Sequence, residues 1–134
     1  QKQLPGIWMV TLEKTHPHQA REIAERLRVA PHSAGIRLML LTDSDTRLEF
    51  DEVMWAVLNN IDPERDAWVL PGVEGPVLVL DGTRKLAEEG FTRRWPPKIV
   101  MSPEIVRRVD ERWSRLGLPP LPPRDVPVGQ SGGK

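Results

Sequence analysis

Two aspartates set two residues apart, Asp43 and Asp45, follow the apolar run Ile36 to Leu41, a spacing that could serve phosphoryl chemistry. In such a site the first carboxylate attacks phosphorus, the second acts as acid and base, and Mg²⁺ neutralises the charge. The remainder of that set is missing. Arg47 stands where a Thr or Val is wanted two residues after the second Asp, no acidic pair closes a later strand, and Lys85 alone does not complete the site. Asp43-Ser44-Asp45 therefore reads as a strand-to-helix turn made of residues whose short side chains bond nearby backbone. His16-Pro17-His18 offers two imidazoles, but Pro separates them and only His32 remains to join them, so a surface helix start is the better reading. Asp81-Gly82-Thr83-Arg84-Lys85 sets a Gly turn, a hydroxyl and two cations after an apolar run, the ingredients of an anion site. It lacks the Gly-rich spacing and following helix of a P-loop, and its plainer reading is a turn with solvated bases. Trp8, Trp55, Trp68 and Trp113 are spaced singly on expected elements, as core or interface anchors rather than base-stacking platforms.

The elements that must position these groups alternate along the chain. Ile7 to Leu12 is apolar and follows the breaker pair Pro5-Gly6, the pattern of a buried strand. Pro17 to Leu27 sets Ala20, Ile23, Ala24 and Leu27 at helical spacing, with Thr15 or His16 near the N-cap. Ile36 to Leu41 predicts a second strand, and a crossover of this length allows the two strands to run parallel. A second helix is expected over Phe50 to Asn60, its apolar side made by Val53, Met54, Val57 and Leu58, with Asp51 and Glu52 beside the positive end of the helix dipole. Ile61 to Asp66 reads as a turn, Ala67 to Leu70 and Val77 to Leu80 as short strands, and Asp81 to Pro97 as a long ordered loop without a period. Pro103 to Leu116 predicts a final helix with Ser102 as N-cap and an apolar stripe of Ile105, Val109, Trp113 and Leu116, widened by Val106 and stopped by Gly117. The five prolines between Pro119 and Pro127 then deny the tail any helix or central strand. The fold class is thus α/β: a mixed sheet of about four strands with packed helices and a C-terminal amphipathic helix, as one domain over residues 1–118 and an extended or disordered tail over 119–134.

Composition narrows the functions. The 134 residues suit one ordinary domain, and 19 Lys and Arg balance 19 Asp and Glu, so the chain lacks the cationic surface of a dedicated nucleic-acid or polybasic membrane binder. The absence of cysteine removes disulfides, thiol nucleophiles and Cys-based metal sites, and suits a reducing cytoplasm. No apolar run nears the roughly 18 residues that span a bilayer, which points to a soluble protein. Charge is uneven locally: residues 43–66 hold eight acids and two bases, residues 84–115 nine bases and five acids. Solvated faces are the simplest account of that imbalance.

Several motifs in order carry a wider resemblance: Phe50-Asp51-Glu52-Val53-Met54-Trp55-Ala56-Val57, Asp62-Pro63-Glu64-Arg65-Asp66 with Pro71-Gly72, Asp81-Gly82-Thr83-Arg84-Lys85-Leu86, Glu89-Gly90-Phe91-Thr92-Arg93-Arg94-Trp95-Pro96-Pro97, and Val109-Asp110-Glu111-Arg112-Trp113 with Leu116-Gly117-Leu118. From about Ile7 to Leu118 the chain resembles the C-terminal part of the UbiD-like decarboxylases, the 4-hydroxy-3-polyprenylbenzoate decarboxylase family. The resemblance implies an enzyme that decarboxylates aromatic or α,β-unsaturated acids with prenylated FMN and a divalent metal, in the cytoplasm, in ubiquinone or menaquinone synthesis. It also implies that the flavin-binding domain and catalytic carboxylates lie in a preceding part, so that 134 residues is a fragment's length. The implied partners are that preceding domain and further copies in a homo-oligomer, with no nucleic acid and no membrane span. No catalytic, cofactor-binding or metal-binding residue is carried over. The expected contacts are a possible anion or domain-interface site at Thr83, Arg84 and Lys85 and an oligomer interface at Ile105, Val109 and Trp113. A stand-alone oligomerisation or ligand-binding module is the alternative.

Overall fold

A computed structural model describes residues 5–96 and 101–120. Its chain falls into two compact units, residues 1–95 and 96–134.

The first unit is built on one four-stranded sheet. Strands β1 (Ile7–Leu12), β2 (Leu38–Asp43), β3 (Ala67–Gly72) and β4 (Gly75–Asp81) lie in the order β1-β2-β4-β3. The first, second and fourth run parallel, and β3 pairs antiparallel with β4 through a tight hairpin that sets Gly72 opposite Gly75. A side chain at Gly72 would meet the Gly75 carbonyl and a Val77 methyl at 2.7 Å, so the hairpin closes only around glycine there.

Helices α1 (Gln19–Leu27) and α2 (Phe50–Asn60) cover opposite faces, because successive residues of a strand point to opposite sides. Met39 and Leu41 of β2 are buried with Ala20 and Ala24 of α1, whereas Leu40 is buried with Val53 and Val57 of α2. Leu58 and Trp55 turn outward from α2, and Trp55 keeps 61% of its surface exposed. Trp55 is therefore no core anchor: the buried stripe is Val53, Ala56 and Val57, and Trp55 sits on the other side of that helix. Trp8 and Trp68 do pack against the core on the α1 face, with the Arg21 guanidinium 5.8 Å from the Trp68 ring centre.

Element boundaries moved where tertiary contacts overrode local pattern. β2 begins two residues later than its apolar run and ends at Asp43. The Gly6 carbonyl accepts from the N–H groups of Arg37 and Leu38, which sets Ile7 opposite Leu38 and draws Thr42 and Asp43 in opposite Thr11 and Leu12. α1 starts at Gln19 instead of Pro17 because His18 takes a left-handed conformation, φ 64°. The stretch expected as a turn holds a single-turn helix, α3 (Pro63–Asp66), capped by the Asp62 carboxylate on the Glu64 N–H. β3 and β4 each run past their expected ends, and the loop after Asp81 contains one 3₁₀ turn, Ala87–Glu89.

The second unit contains α4 (Pro103–Trp113), extended by a 3₁₀ turn over Ser114–Leu116 and stopped by Gly117 at φ 65°. The Ser102 hydroxyl accepts from the Ile105 N–H at 3.3 Å, the expected N-cap. Within that stripe Ile105, Val109 and Leu116 are exposed and Trp113 is half-buried, its indole N–H donating to the Pro119 carbonyl at 2.6 Å. Most of the Pro-rich tail, residues 121–134, lies outside the described residues.

Candidate functional site

The three parallel strands end together, and the polar residues at their carboxyl ends form one connected cluster. Lys14 follows β1, while Asp43 and Asp81 close β2 and β4. The connection leaving β1 passes to the α1 face and the one leaving β2 to the α2 face. The crevice between those two strand ends is thus the place where open α/β sheets bind ligands.

Asp81 is the hub. One carboxylate oxygen accepts from the Thr83 N–H at 2.9 Å and the Thr83 hydroxyl at 2.5 Å; the other lies 3.0 Å from the Lys85 ammonium. Lys85 Nζ also donates to the Asp81 carbonyl at 2.8 Å and stands 3.4 Å from Asp66, whose carboxylate takes two hydrogen bonds from Arg65 and one from the Asp62 N–H. On the other side, Lys14 Nζ is 4.0 Å from Asp81 and 2.7 Å from Glu89. That last contact is an ion pair by distance whose angles fall outside those of a hydrogen bond, so the Lys14 ammonium, with 0% of its side chain exposed, donates no well-aligned bond. Glu89 in turn accepts from the N–H groups of His18 at 3.1 Å and Leu86 at 2.9 Å. Asp43 accepts from the Arg84 N–H at 3.0 Å, and the Arg84 guanidinium donates to the Lys14 carbonyl at 2.8 Å.

Gly82 makes this loop possible. A Cβ there would lie 2.7 Å from Val57 Cα, so only glycine lets the loop pass this close to α2. Its N–H donates to the Leu41 carbonyl at 2.8 Å and its carbonyl accepts from the Asn60 amide at 3.1 Å, which ties the loop to β2 and α2.

The charges in the cluster balance: Lys14, Arg65, Arg84 and Lys85 against Asp43, Asp66, Asp81 and Glu89. Burial pushes the carboxyl of Asp66 toward protonation but loses to the Arg65 and Asp62 hydrogen bonds and the Lys85 charge, so Asp66 titrates below the usual range. Glu89 is likewise lowered, burial being outweighed by Lys14 and by the Leu86 and His18 N–H groups. Asp43 shifts the other way: burial raises it, the neighbouring Asp45 and Asp81 add to the rise, and Arg84 only partly offsets them.

Thr83, Arg84 and Lys85 are all brought into this cluster. Thr83 and Lys85 are buried and face its interior, and Arg84 keeps partial exposure. Asp43 is half-buried, and Asp45 is exposed. His16 and His18 lie exposed at the start of α1, with His16 Nε2 3.2 Å from Glu22. Lys14, Asp66 and Glu89 carry as much of the cluster as the Asp81 motif does, yet nothing in their spacing singles them out, since each acts through partners distant in sequence. Ile105, Val109 and Trp113 share α4 in the second unit. Among the described residues no group of three His, Asp or Glu side chains is placed to hold a metal ion, and no helix is long and apolar enough to cross a membrane.

The model of the 3-octaprenyl-4-hydroxybenzoate carboxy-lyase C-terminal domain matches residues 3–90, which includes the whole cluster. An uncharacterized protein of Aquifex aeolicus is 35% identical over 81% of this chain, and one of Aeropyrum pernix is 29% identical over 84%. The chain spans about a quarter of the length of these curated relatives, 25% and 26%. Among solved structures, the vanillic acid decarboxylase of Sedimentibacter hydroxybenzoicus in its open form superposes with a TM-score of 0.62 at 18% identity, over 81% of this chain and 26% of that one. The apo 3,4-dihydroxybenzoic acid decarboxylase of Klebsiella pneumoniae follows at 0.50 and 14%, over 78% and 26%. These two likenesses show a shared fold. With the family model covering most of its length, the chain belongs to the UbiD family, as a carboxy-lyase C-terminal domain.

Proposed function

We propose that this chain is the non-catalytic C-terminal domain of a prenylated-FMN-dependent, cytoplasmic decarboxylase acting on aromatic or α,β-unsaturated carboxylic acids of the quinone-precursor type. The observation that carries this reading is the family match over residues 3–90 in a chain spanning a quarter of its relatives' length. On this reading the flavin and a divalent metal bind in a preceding domain. Among the described residues, the cluster is not arranged to hold either group. Its buried cations are drawn to its own carboxylates and carbonyls, and no trio of ligating side chains stands ready among the described residues. The cluster's chemistry is structural: opposed charges in a dry place lock three strand ends and one loop into a single geometry. Such a rigid edge suits a domain that flanks an active site, and Arg84, the half-exposed member of the Thr83-Arg84-Lys85 set, is the side chain by which that motif would meet a neighbouring domain's anionic ligand.

The test compares this chain with the longer native polypeptide. The longer protein should bind the flavin, seen in its absorbance, and release CO₂ from an aromatic acid, while the isolated chain does neither. Decarboxylation by the isolated chain, or its absence from the flavin-loaded longer protein, overturns the proposal.

The exposed stripe of α4 favours a second role, oligomer assembly, because Ile105 and Val109 are apolar and uncovered and no residue of the helix is buried. Ile105→Asp with Val109→Asp should then lower the mass of the native assembly by light scattering.

A further inference from the structure

The two faces of the sheet are not equally covered. On the α1 face Met39, Leu41, Leu70, Val77 and Val79 are all buried. On the α2 face burial is complete at Leu40, beneath Val53 and Val57, and at Thr42 toward the carboxyl end of β2. One residue row away, the register sets Ile7, Leu38, Leu78 and Val69 side by side across all four strands. Ile7 and Leu38 are partly exposed, Leu78 is 40% and Val69 64% exposed, and the flanking Pro71 and Pro76 are exposed as well. None of the six carries a charge. A sheet face left open in this way is a surface for an apolar partner.

The position of this row says which partner. It starts at the first residues of β1 and β2, Ile7 and Leu38, where the polypeptide enters the fold, and runs on through Leu78 at the middle of β4. Gly6, just ahead of Ile7, is bonded through its carbonyl to the N–H groups of Arg37 and Leu38, so the chain joins the sheet beside the row's first two members. About three quarters of each curated relative lies outside the span this chain matches, and the family model is that of a C-terminal domain. We propose that the open half of the α2 face, Ile7, Leu38, Leu78 and Val69 with Pro71 and Pro76, is the seat of an apolar segment of the polypeptide that precedes Gln1. This rests on the reading that a longer decarboxylase precedes the domain. It goes further by naming the surface on which the two parts meet and the apolar character of what covers it.

The chain's lack of cysteine makes the seat addressable. Val69→Cys, Leu78→Cys and Pro76→Cys, each made singly in the longer native polypeptide, report on it through reaction with a water-soluble maleimide. Labelled peptides are located by mass spectrometry, and rates are normalised to the denatured protein. Val29→Cys, at an exposed position outside the row, is the reference. Covered positions should label at least about tenfold more slowly than the reference, since reaction then waits on local opening, and at a rate independent of protein concentration. Labelling as fast as Val29→Cys overturns the proposal. Protection that disappears on dilution overturns it too, because the occupant is then a second copy, and so does protection that is lost when residues 96–134 are deleted from the longer polypeptide, because the occupant is then the C-terminal unit. Three positions keep the test alive if one variant misfolds. Flavin binding and CO₂ release are measured on the same preparations: fast labelling in an active enzyme refutes the seat alone, whereas protection in a protein that neither binds flavin nor decarboxylates upholds the seat and refutes the assigned activity.

Discussion

Replacing Glu89 by Gln removes one charge from the polar cluster and leaves its shape nearly intact. Lys14 then keeps a fully buried ammonium whose nearest remaining carboxylate is that of Asp81, 4.0 Å away and already engaged by Lys85 and Thr83. Losing one partner of a buried pair typically costs about 3–5 kcal/mol, mostly the penalty of the charge left behind. Glu89 retains slight solvent access, with 10% of its side chain exposed, and Gln can still accept from the His18 or Leu86 N–H, so the lower end, about 3 kcal/mol, is expected here. In a unit of this size that lowers the melting temperature by about 12–24 °C. Lys14→Met should be similarly harmful alone, because Glu89 is then the charge left without its ammonium. The double variant Lys14→Met with Glu89→Gln should recover most of the loss and stand within about 1–2 kcal/mol of the parent, as neutral replacements of buried pairs do. Urea unfolding of the longer native protein and the three variants measures the cycle. A Glu89→Gln loss below about 1 kcal/mol, the worth of a surface pair, or additive losses in the double variant, would refute the idea that this pair holds the β1 exit to the loop.

Other expectations follow from the same geometry. Asp66 and Glu89 titrate below their ordinary values of 3.8 and 4.5, so the stability they contribute is fully present above those values and is lost as pH falls through their lowered folded-state values. Acid titration of the fold should show this loss, and Glu89→Gln should shrink it. Asp43 is raised from 3.8, so it costs stability as pH climbs past that value; Asp43→Asn should leave stability at pH 7 equal or higher, and a clear loss would mean that its charge is needed. Gly82→Ala drives a methyl against the backbone of Val57 and should cost about 3 kcal/mol, the upper part of the range for overpacking, read as a shifted denaturation midpoint. Ser102→Ala removes the α4 cap and should lower helix content, at about 1 kcal/mol.

What could be read in advance separates cleanly by the range of the interaction involved. β1 and α2 stand where local periodicity sets them, because each is defined by its own apolar spacing and by the breakers or acidic first turn beside it. The Ser102 cap and the Gly117 stop of α4 are equally local. β2 is different: its apolar run begins at Ile36, but pairing with β1 decides which residues become strand, and the polar Thr42 and Asp43 are included because Thr11 and Leu12 extend opposite them. The start of α1 moved for a similar reason. Its boundary residue His18 gives its N–H to a carboxylate 71 positions away.

The cluster shows the same limit at the level of function. Asp81-Gly82-Thr83-Arg84-Lys85 is conspicuous as a motif, and its visible ingredients, a Gly turn, a hydroxyl and two cations, suggest a place for an outside anion. The anions that meet Lys85 come from the chain itself, Asp81 within the motif and Asp66 before it, while Glu89 after it meets Lys14. A buried ammonium needs a counter-charge whether or not a ligand is near. Local composition can show that cations gather at a strand end, but only the fold decides whether carboxylates arrive to match them. Here every lysine of the cluster is matched, so Thr83 and Lys85 hold the loop that carries Arg84. Cutting Arg84 back to Met loses its bond to the Lys14 carbonyl, a cost of about 1 kcal/mol, whereas Lys85→Met leaves Asp66 and Asp81 without their buried counter-charge and should destabilise the strand ends by more. Equal melting temperatures for those two variants would show that this division between the two side chains is wrong.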